Sequence, residues 1–362
     1  VAKYIILKQD ILRRLMDGEW AEGLRLPSSR DFSEYYESSV NTVEKAIKEL
    51  VEEGWLIRDT RRGTFMDKRK LTVQGSTHLV AAFVFGIENP LWSAALRGIE
   101  DVLYLQEYQL ISSSNDRNLE KLEVLAKGAV ARKVKGVILC PILSHGHEDI
   151  NNRIFTLLQD NGIKVVCLDR TVYNSNIPYV TSDNITGAYQ LTKLLINHGH
   201  RRILFIRNSN ISTMNERLVG FKQAIIDSDL EYSEQFDVII PTRMEDFSDE
   251  FNWYCDVFEQ KMKQLNFTAV LTANDQIGEA VIHSFQKLKY SIPEDVSLVT
   301  YDASNLNRKI NFNVTGISQP FYEMGQCAAR LLLHLIDGKE EQYNIGQVCK
   351  SRMDIGESVK SI

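Results

Sequence analysis

Leu26-Pro27-Ser28-Ser29-Arg30-Asp31-Phe32, Ser38-Ser39-Val40-Asn41-Thr42-Val43-Glu44-Lys45-Ala46-Ile47, Gly54-Trp55-Leu56-Ile57 and Arg61-Arg62-Gly63-Thr64-Phe65-Met66 form one spaced series, and its reading decides the N-terminal fold. Ser28 or Ser29 N-caps a short helix that Asp31 opens with a favourable charge. Phe32, Tyr35 and Tyr36 give that helix an apolar side. Ser38-Ser39 caps a second helix, on which Val43, Ala46, Ile47, Leu50 and Val51 recur at spacings of three and four. Ser39, Asn41, Thr42, Lys45 and Lys48 then face outward near its start. Gly54 sits where this helix stops, and two strands follow around the basic turn Arg58 to Arg62. Upstream, Tyr4, Leu7, Ile11, Leu12 and Leu15 mark an amphipathic helix over Tyr4 to Met16. Two helices joined by a short turn, the second polar at its N-terminus, is the plan by which a helix-turn-helix enters a major groove.

The 362 residues carry 42 Lys+Arg against 48 Asp+Glu, a net charge of −6, and are enough for two or three domains. Basic and acidic residues nearly balance over the first 70 positions, so the negative charge lies in the remainder. A general nucleic-acid coat is excluded, and a basic face must be local, with Arg30, Lys45, Arg58, Arg61 and Arg62 to supply it. Cys140, Cys167, Cys255, Cys327 and Cys349 are scattered without a pair motif, as expected of reduced thiols in a cytosolic protein. No apolar run reaches membrane-spanning length, and the expectation is no export signal and no membrane partner. The polar stretch 68–77 reads as a linker between a domain over 1–67 and one over 78–362.

Beyond the linker the pattern changes. Apolar runs such as His78–Phe85, Gly136–Cys140, Lys164–Asp169, Arg202–Ile206, Ala269–Thr272 and Ser297–Tyr301 alternate with helical periods. Strict alternation of this kind means parallel sheets covered by helices. There are too many units for one ordinary sheet, so the chain reads as two doubly wound lobes with a cleft, whose ligand sits beyond the strands' carboxyl ends. No phosphate-binding glycine loop, HExxH or nucleophile elbow is present, so no enzyme and no cofactor is expected. His145 and His147 form a conceivable metal pair, but a solvated loop is the simpler reading, and no metal is expected.

The N-terminal motifs resemble the winged helix of the GntR family of bacterial regulators. Val40 and Glu44 stand where many members carry arginine, and Arg61 where they carry glycine. The resemblance implies double-stranded operator DNA as partner, with Arg30, Ser39, Asn41, Thr42, Lys45, Arg61, Arg62 and Gly63 at contacting positions. A second set resembles the sensor domain of the LacI/GalR repressors, itself similar to periplasmic sugar-binding proteins. It comprises Gly199-His200-Arg201-Arg202-Ile203, Glu216-Arg217-Leu218, Asn274-Asp275-Gln276-Ile277-Gly278, Ile292 to Asp302, Thr315 to Phe321 and the tail Gly356-Glu357-Ser358. The fold class implied is α/β: a winged helix-turn-helix plus a two-lobed doubly wound parallel-sheet domain of the periplasmic binding protein-like type I. Lobe one is expected at about 78–178 and 319–340, lobe two at about 179–318 and 341–362.

By the same resemblance the effector positions are Asn89, Trp92, Asp169, Arg217, Phe247, Asn274, Asp302 and Phe321, with Trp253 competing with Phe247. Carboxylates that accept from hydroxyls, an arginine fork and an aromatic face suit a neutral polyol. Plainer roles stand beside these: Asp302 as a turn cap, Arg217 in a structural ion pair, Trp92 and Phe321 as core aromatics. The implied function is a cytoplasmic, homodimeric transcription factor, a repressor of carbohydrate-utilisation genes controlled by a monosaccharide such as arabinose or fucose. The alternatives are an activator or a regulator sensing a non-sugar metabolite, an exported binding protein, and a fusion to a pyridoxal-phosphate enzyme. The last two lack, respectively, a signal and a catalytic part of sufficient length.

Overall fold

The computed structural model describes residues 3–16, 19–20, 25–59, 62–66, 78–142, 148–172, 175–208, 211–240, 250–338 and 346–362. The chain divides into two compact units, Val1–Thr77 and His78–Ile362. Arg61, the linker 68–77, the histidines at 145 and 147, and Phe247 lie outside the described residues.

In the first unit α1 (Lys3–Met16), α2 (Ser29–Tyr35) and α3 (Val40–Glu52) pack around Leu7, Ile11, Leu15, Phe32, Val43, Ile47 and Leu50. These are the apolar positions that the helical period selects, and each fully buried side chain contributes about 1.5–3 kcal/mol. Lys8 of α1 is bound to Glu49, at 3.0 Å, and to Glu53, both on α3 or just beyond it. β1 (Leu56–Asp59) and β2 (Gly63–Met66) pair antiparallel, from Leu56↔Met66 to Asp59↔Gly63.

The second unit holds two six-stranded sheets. The first contains β3 (Leu79–Val84), β4 (Gln109–Ser114), β5 (Gly136–Leu139), β6 (Lys164–Leu168), β7 (Tyr179–Ser182) and β13 (Gly346–Cys349), in the order β13-β7-β6-β5-β3-β4 and parallel throughout. The second contains β8 (Ile203–Asn208), β9 (Asp237–Ile240), β10 (Ala269–Thr272), β11 (Ser297–Tyr301), β12 (Thr315–Ser318) and β14 (Arg352–Asp354), in the order β14-β12-β11-β10-β8-β9. Only the edge strand β14 runs antiparallel there, against β12.

Two lobe boundaries differ from the sequence expectation. β7 belongs to the first sheet, Val180 pairing with Leu168, so the chain leaves that lobe after Ser182 rather than before Tyr179. β13 also lies in the first sheet, pairing with β7. The chain therefore crosses for the third time between Cys349 and Arg352, not near residue 341. An apolar strand fits either sheet equally well; which neighbour it pairs with is a tertiary outcome that periodicity does not carry. The Phe321–Ile336 helix packs into the first lobe's core through Met324, Ala328 and Leu332, as expected. It meets the Pro90–Tyr104 helix backbone to backbone: a Cβ on Gly98 would stand 2.1 Å from the Tyr322 carbonyl oxygen, and one on Gly325 2.1 Å from that of Ala95.

Candidate functional site

The first unit's helix starts are built by short polar side chains. Ser28 Oγ accepts from the Asp31 amide at 3.3 Å while Asp31 Oδ2 accepts from the Ser28 amide at 2.8 Å, a reciprocal cap. Those bonds hold the Asp31 carboxyl below the usual range. Ser39 Oγ caps α3 through the Thr42 amide at 3.2 Å and meets Thr42 Oγ1 at 2.7 Å. Arg30, Ser39, Asn41 and Lys45 are exposed and Thr42 is half-buried. Lys45 Nζ sits 3.8 Å from the centre of the Tyr4 ring. In the wing, Arg62 is exposed and lies 5.6 Å over Phe65, and its amide donates to Asp59 Oδ1. Gly63 has φ +109°, and a Cβ there would stand 2.5 Å from Arg25 Nε.

Glu44 is bonded within the first unit. Arg58 forks onto it with Nη1···Oε2 2.7 Å and Nη2···Oε1 2.8 Å, and Ser29 Oγ adds a third bond. The pair holds the Glu44 carboxyl below its usual range, Arg58 being the main cause. Arg58, counted from sequence toward a basic face, thus has its charge matched by Glu44.

In the second unit, Asn89, Trp92, Asp169, Arg217, Asn274, Asp302 and Phe321 all line one cavity between the carboxyl edges of the two sheets, with about 500 Å³ of space including its open mouth. Asp169 follows β6 and Asp302 follows β11, both in the left-handed backbone region, at φ +72° and +59°. Each is about 5 % exposed. Burial pushes the Asp169 carboxyl up, against the pull of Arg170 and Arg217. Burial pushes Asp302 up to about 7, with Arg217 opposing and Asp275 reinforcing the shift.

Asp302 makes no side-chain cap to the short helix it precedes; its Oδ1 accepts from Gln319 Nε2 at 2.7 Å. Arg217 is 2 % exposed, donates from Nε to Asn184 Oδ1 at 2.9 Å and from Nη1 to the Ala273 carbonyl, and lies 3.8 Å over the Tyr301 ring. It is held by neutral partners, not by an ion pair. Asn274 Oδ1 caps the Asp275–Leu288 helix through the Ile277 amide at 2.8 Å, and its Nδ2 donates to Asn208 at 3.3 Å. Asn89 likewise caps the Pro90–Tyr104 helix. Trp92 and Phe321 are core and lining at once: Phe85–Trp92 and Trp92–Phe321 meet edge to face at 5.3 and 5.1 Å. Trp253 packs against the second lobe's core and is not part of the lining.

Residues 4–66 match the model for the bacterial regulatory proteins of the gntR family, and residues 192–359 that for the periplasmic binding protein-like domain. The chain carries both domains. Along its length it is similar to the arabinose metabolism transcriptional repressor of Geobacillus stearothermophilus, 27% identical over 92% of this chain and 91% of that protein. The ribose operon repressor of Halalkalibacterium halodurans is 23% identical over 86% and 90%. Among solved structures, a LacI family regulator from Enterococcus faecium with bound ribose is 26% identical, with TM-score 0.64 over 78% of this chain and 99% of that one. The regulator CcpA of Lactococcus lactis shares the fold at TM-score 0.68 over 78% and 99%, at 23% identity.

The periplasmic binding protein-like domain also brings in residues that sequence reasoning missed. Arg117 follows β4, Arg170 follows β6 and Gln276 opens the helix after β10, and all three line the cavity. Gln319 links the lobes, accepting from Ser182 Oγ at 2.5 Å while donating to Asp302. Asn184 anchors three groups, through Arg217, Glu216 Oε2 at 2.8 Å and the Tyr301 hydroxyl. A positional signal for the arginines was available, since each lies just beyond a strand's carboxyl end. Among the described residues no group of three or more metal-ligating side chains occurs, and no helix is long and apolar enough to cross a membrane.

Proposed function

We propose that this protein is a cytoplasmic transcriptional repressor whose hold on operator DNA is controlled by a small hydroxylated ligand of the monosaccharide class. The observation that carries the reading is the convergence of Asp169 from one lobe and Asp302 and Arg217 from the other on a single cavity, beside Trp92 and Phe321. Buried carboxylates accept from ligand hydroxyls, a fixed guanidinium donates, and the aromatic faces take the apolar side of a ring. A ligand that touches both lobes favours the arrangement in which both are in reach, and shifts the population by no more than its differential affinity. A homodimer would place two gntR-family domains on two half-sites, with Arg30, Asn41, Thr42 and Arg62 as DNA-contacting residues.

The test is fluorescence anisotropy of the full chain on DNA from upstream of its own gene, with and without a panel of monosaccharides and their derivatives. One compound changing operator affinity at least tenfold supports the reading. Operator binding that ignores every compound, while Asp302→Ala changes nothing, removes the cleft from the function.

A further inference from the structure

The outward side of α3 carries a guanidinium that α3 does not supply. Val43, Ala46, Ile47 and Leu50 are buried, while Asn41, Lys45 and Lys48 are exposed on the other side. Glu44 belongs to that outward side, three residues after Asn41 and four before Lys48, the spacings at which side chains are neighbours on a helix surface. Its carboxylate is fixed from two other elements. Ser29, the first residue of α2, donates to Oε1, and Arg58 of β1 forks onto both oxygens, Nη1···Oε2 at 2.7 Å and Nη2···Oε1 at 2.8 Å. Arg58 is itself seated in a strand, opposite Thr64 in the β1–β2 register. An arginine of the wing is thus held at the face of the helix expected to enter the groove.

A guanidinium is planar and carries five N–H donors in a rigid fork. Glu44 takes the edge formed by Nη1 and Nη2, using one N–H of each. The other edge, Nε–H with the parallel N–H of one Nη, has no hydrogen bond among the described residues, and the Arg58 side chain is 48 % exposed. Two parallel donors of this kind match the O6 and N7 acceptors of guanine in the major groove, and no other base offers two acceptors on that edge. A phosphate is the poorer partner. The fork holds the Glu44 carboxyl below its usual range, so at neutral pH the carboxylate is ionised and matches the charge of Arg58, and attraction to the DNA backbone follows net positive charge. A base edge instead rewards orientation, and a side chain already fixed by a fork has less freedom left to lose on binding.

We propose that Arg58 is a base-reading residue that takes a guanine of each half-site through its open edge, and that Glu44 and Ser29 are the residues that position it. This rests on the reading of the first unit as the DNA-binding domain, and adds to that reading one residue and the base it selects. It also accounts for an acidic side chain on the outward face of α3: Glu44 orients a cation for the DNA and does not meet the DNA itself.

The test is selection of duplexes from a fully randomised DNA library by the full chain, as wild type, Arg58→Lys, Arg58→Ala and Glu44→Gln. Fluorescence anisotropy on the selected site and its single-base-pair variants then gives the preference at each position. The wild-type site is expected to hold, in each half, a guanine whose replacement by adenine weakens binding about fivefold or more. In Arg58→Lys, which keeps the charge but not the planar fork, and in Arg58→Ala, the same replacement should cost less than about twofold while the other positions keep their preferences. In Glu44→Gln the guanine preference should shrink. A variant that folds less well binds every sequence less well, so a loss confined to one position separates base reading from a structural role. Preferences unchanged at every position in both Arg58 variants overturn the assignment of Arg58. A guanine preference lost in those variants but intact in Glu44→Gln overturns Glu44 as the residue that positions it. A wild-type chain that melts cooperatively yet enriches no sequence overturns the DNA-binding reading, and this proposal with it.

Discussion

Replacing Asp302 by asparagine should stabilise the ligand-free protein, and the gain should grow with pH. The carboxyl is about 5 % exposed and its pKa is pushed from 3.8 up to about 7, chiefly by burial. A folded-state pKa above the unfolded value means that the native chain binds the proton more tightly. Its contribution to stability is fully present below pH 4 and is lost as pH rises through about 7. Between those two values each pH unit removes about 1.4 kcal/mol. From pH 5 to pH 8 the wild type should therefore lose about 2–3 kcal/mol through this one group, allowing for saturation near its folded pKa.

Asparagine has the same shape, keeps the Oδ1 acceptor that Gln319 Nε2 uses at 2.7 Å, and cannot ionise. The assay is urea unfolding of wild type and Asp302→Asn at pH 5 and pH 8, read as the difference of the two differences. Groups that titrate identically in both proteins cancel in that quantity. A variant advantage about 2 kcal/mol or more larger at pH 8 than at pH 5 is the expected outcome. Equal differences at both pH values refute the reasoning, and would mean that Arg217 keeps Asp302 ionised across the range despite its burial.

In the first unit, Glu44→Gln should release Arg58 from its fork and let it meet a phosphate. The slope of log K against log salt for operator binding should then steepen by about one. Gly63→Ala forces a side chain into φ +109° and against Arg25, and should cost at least about 1 kcal/mol, read as a lower melting temperature of the first unit's transition in the full chain. Gln319→Leu should shrink the ratio of operator affinities measured with and without ligand; a ratio unchanged by the substitution removes Gln319 from the coupling.

Much of this was legible in the chain because local rules carry it. The cap expected at Ser28 or Ser29 falls on Ser28 and the one at Ser38-Ser39 on Ser39, and the apolar runs of β3, β5, β6, β8, β10 and β11 fall where continuous apolar sequence requires buried parallel strands. Seven of the eight positions expected at the effector site line one cavity. Three things were not legible. Glu44 and Arg58 are 14 positions apart and meet only because β1 packs against α3. The sheet membership of β7 and β13 depends on neighbours that no run of valines specifies. Arg117 and Arg170 each lie just beyond a strand end, which sequence shows, but that both lie over Phe85, beyond a third strand, is a tertiary outcome that it does not.

The position of Gln319 explains how a ligand could be felt beyond its own contacts. Its carboxamide joins Ser182, at the first sheet's exit, to Asp302, at the second sheet's edge, and it sits on the second crossing between the lobes. A ligand hydroxyl that takes Asp302 Oδ1 competes with the hinge for the same oxygen. A hydrogen bond contributes about 0.5–1.5 kcal/mol where Asp302 is neutral and about 1.5–3 kcal/mol where it is ionised. If that bond is lost or retargeted on binding, the coupling between occupancy and lobe arrangement is bounded at about 150-fold, the upper end of the range typical of an allosteric switch. The bonds from Arg117 to Gln276 and from the Thr171 amide to Ser212 Oγ, at 3.0 and 3.1 Å, also join the two lobes. A ligand that takes the Gln276 carboxamide would weaken the first of these while occupying Asp302 weakens the hinge bond. One ligand touching both would thus alter two of the links that set the relation of the lobes, which neither end of the ligand could do alone.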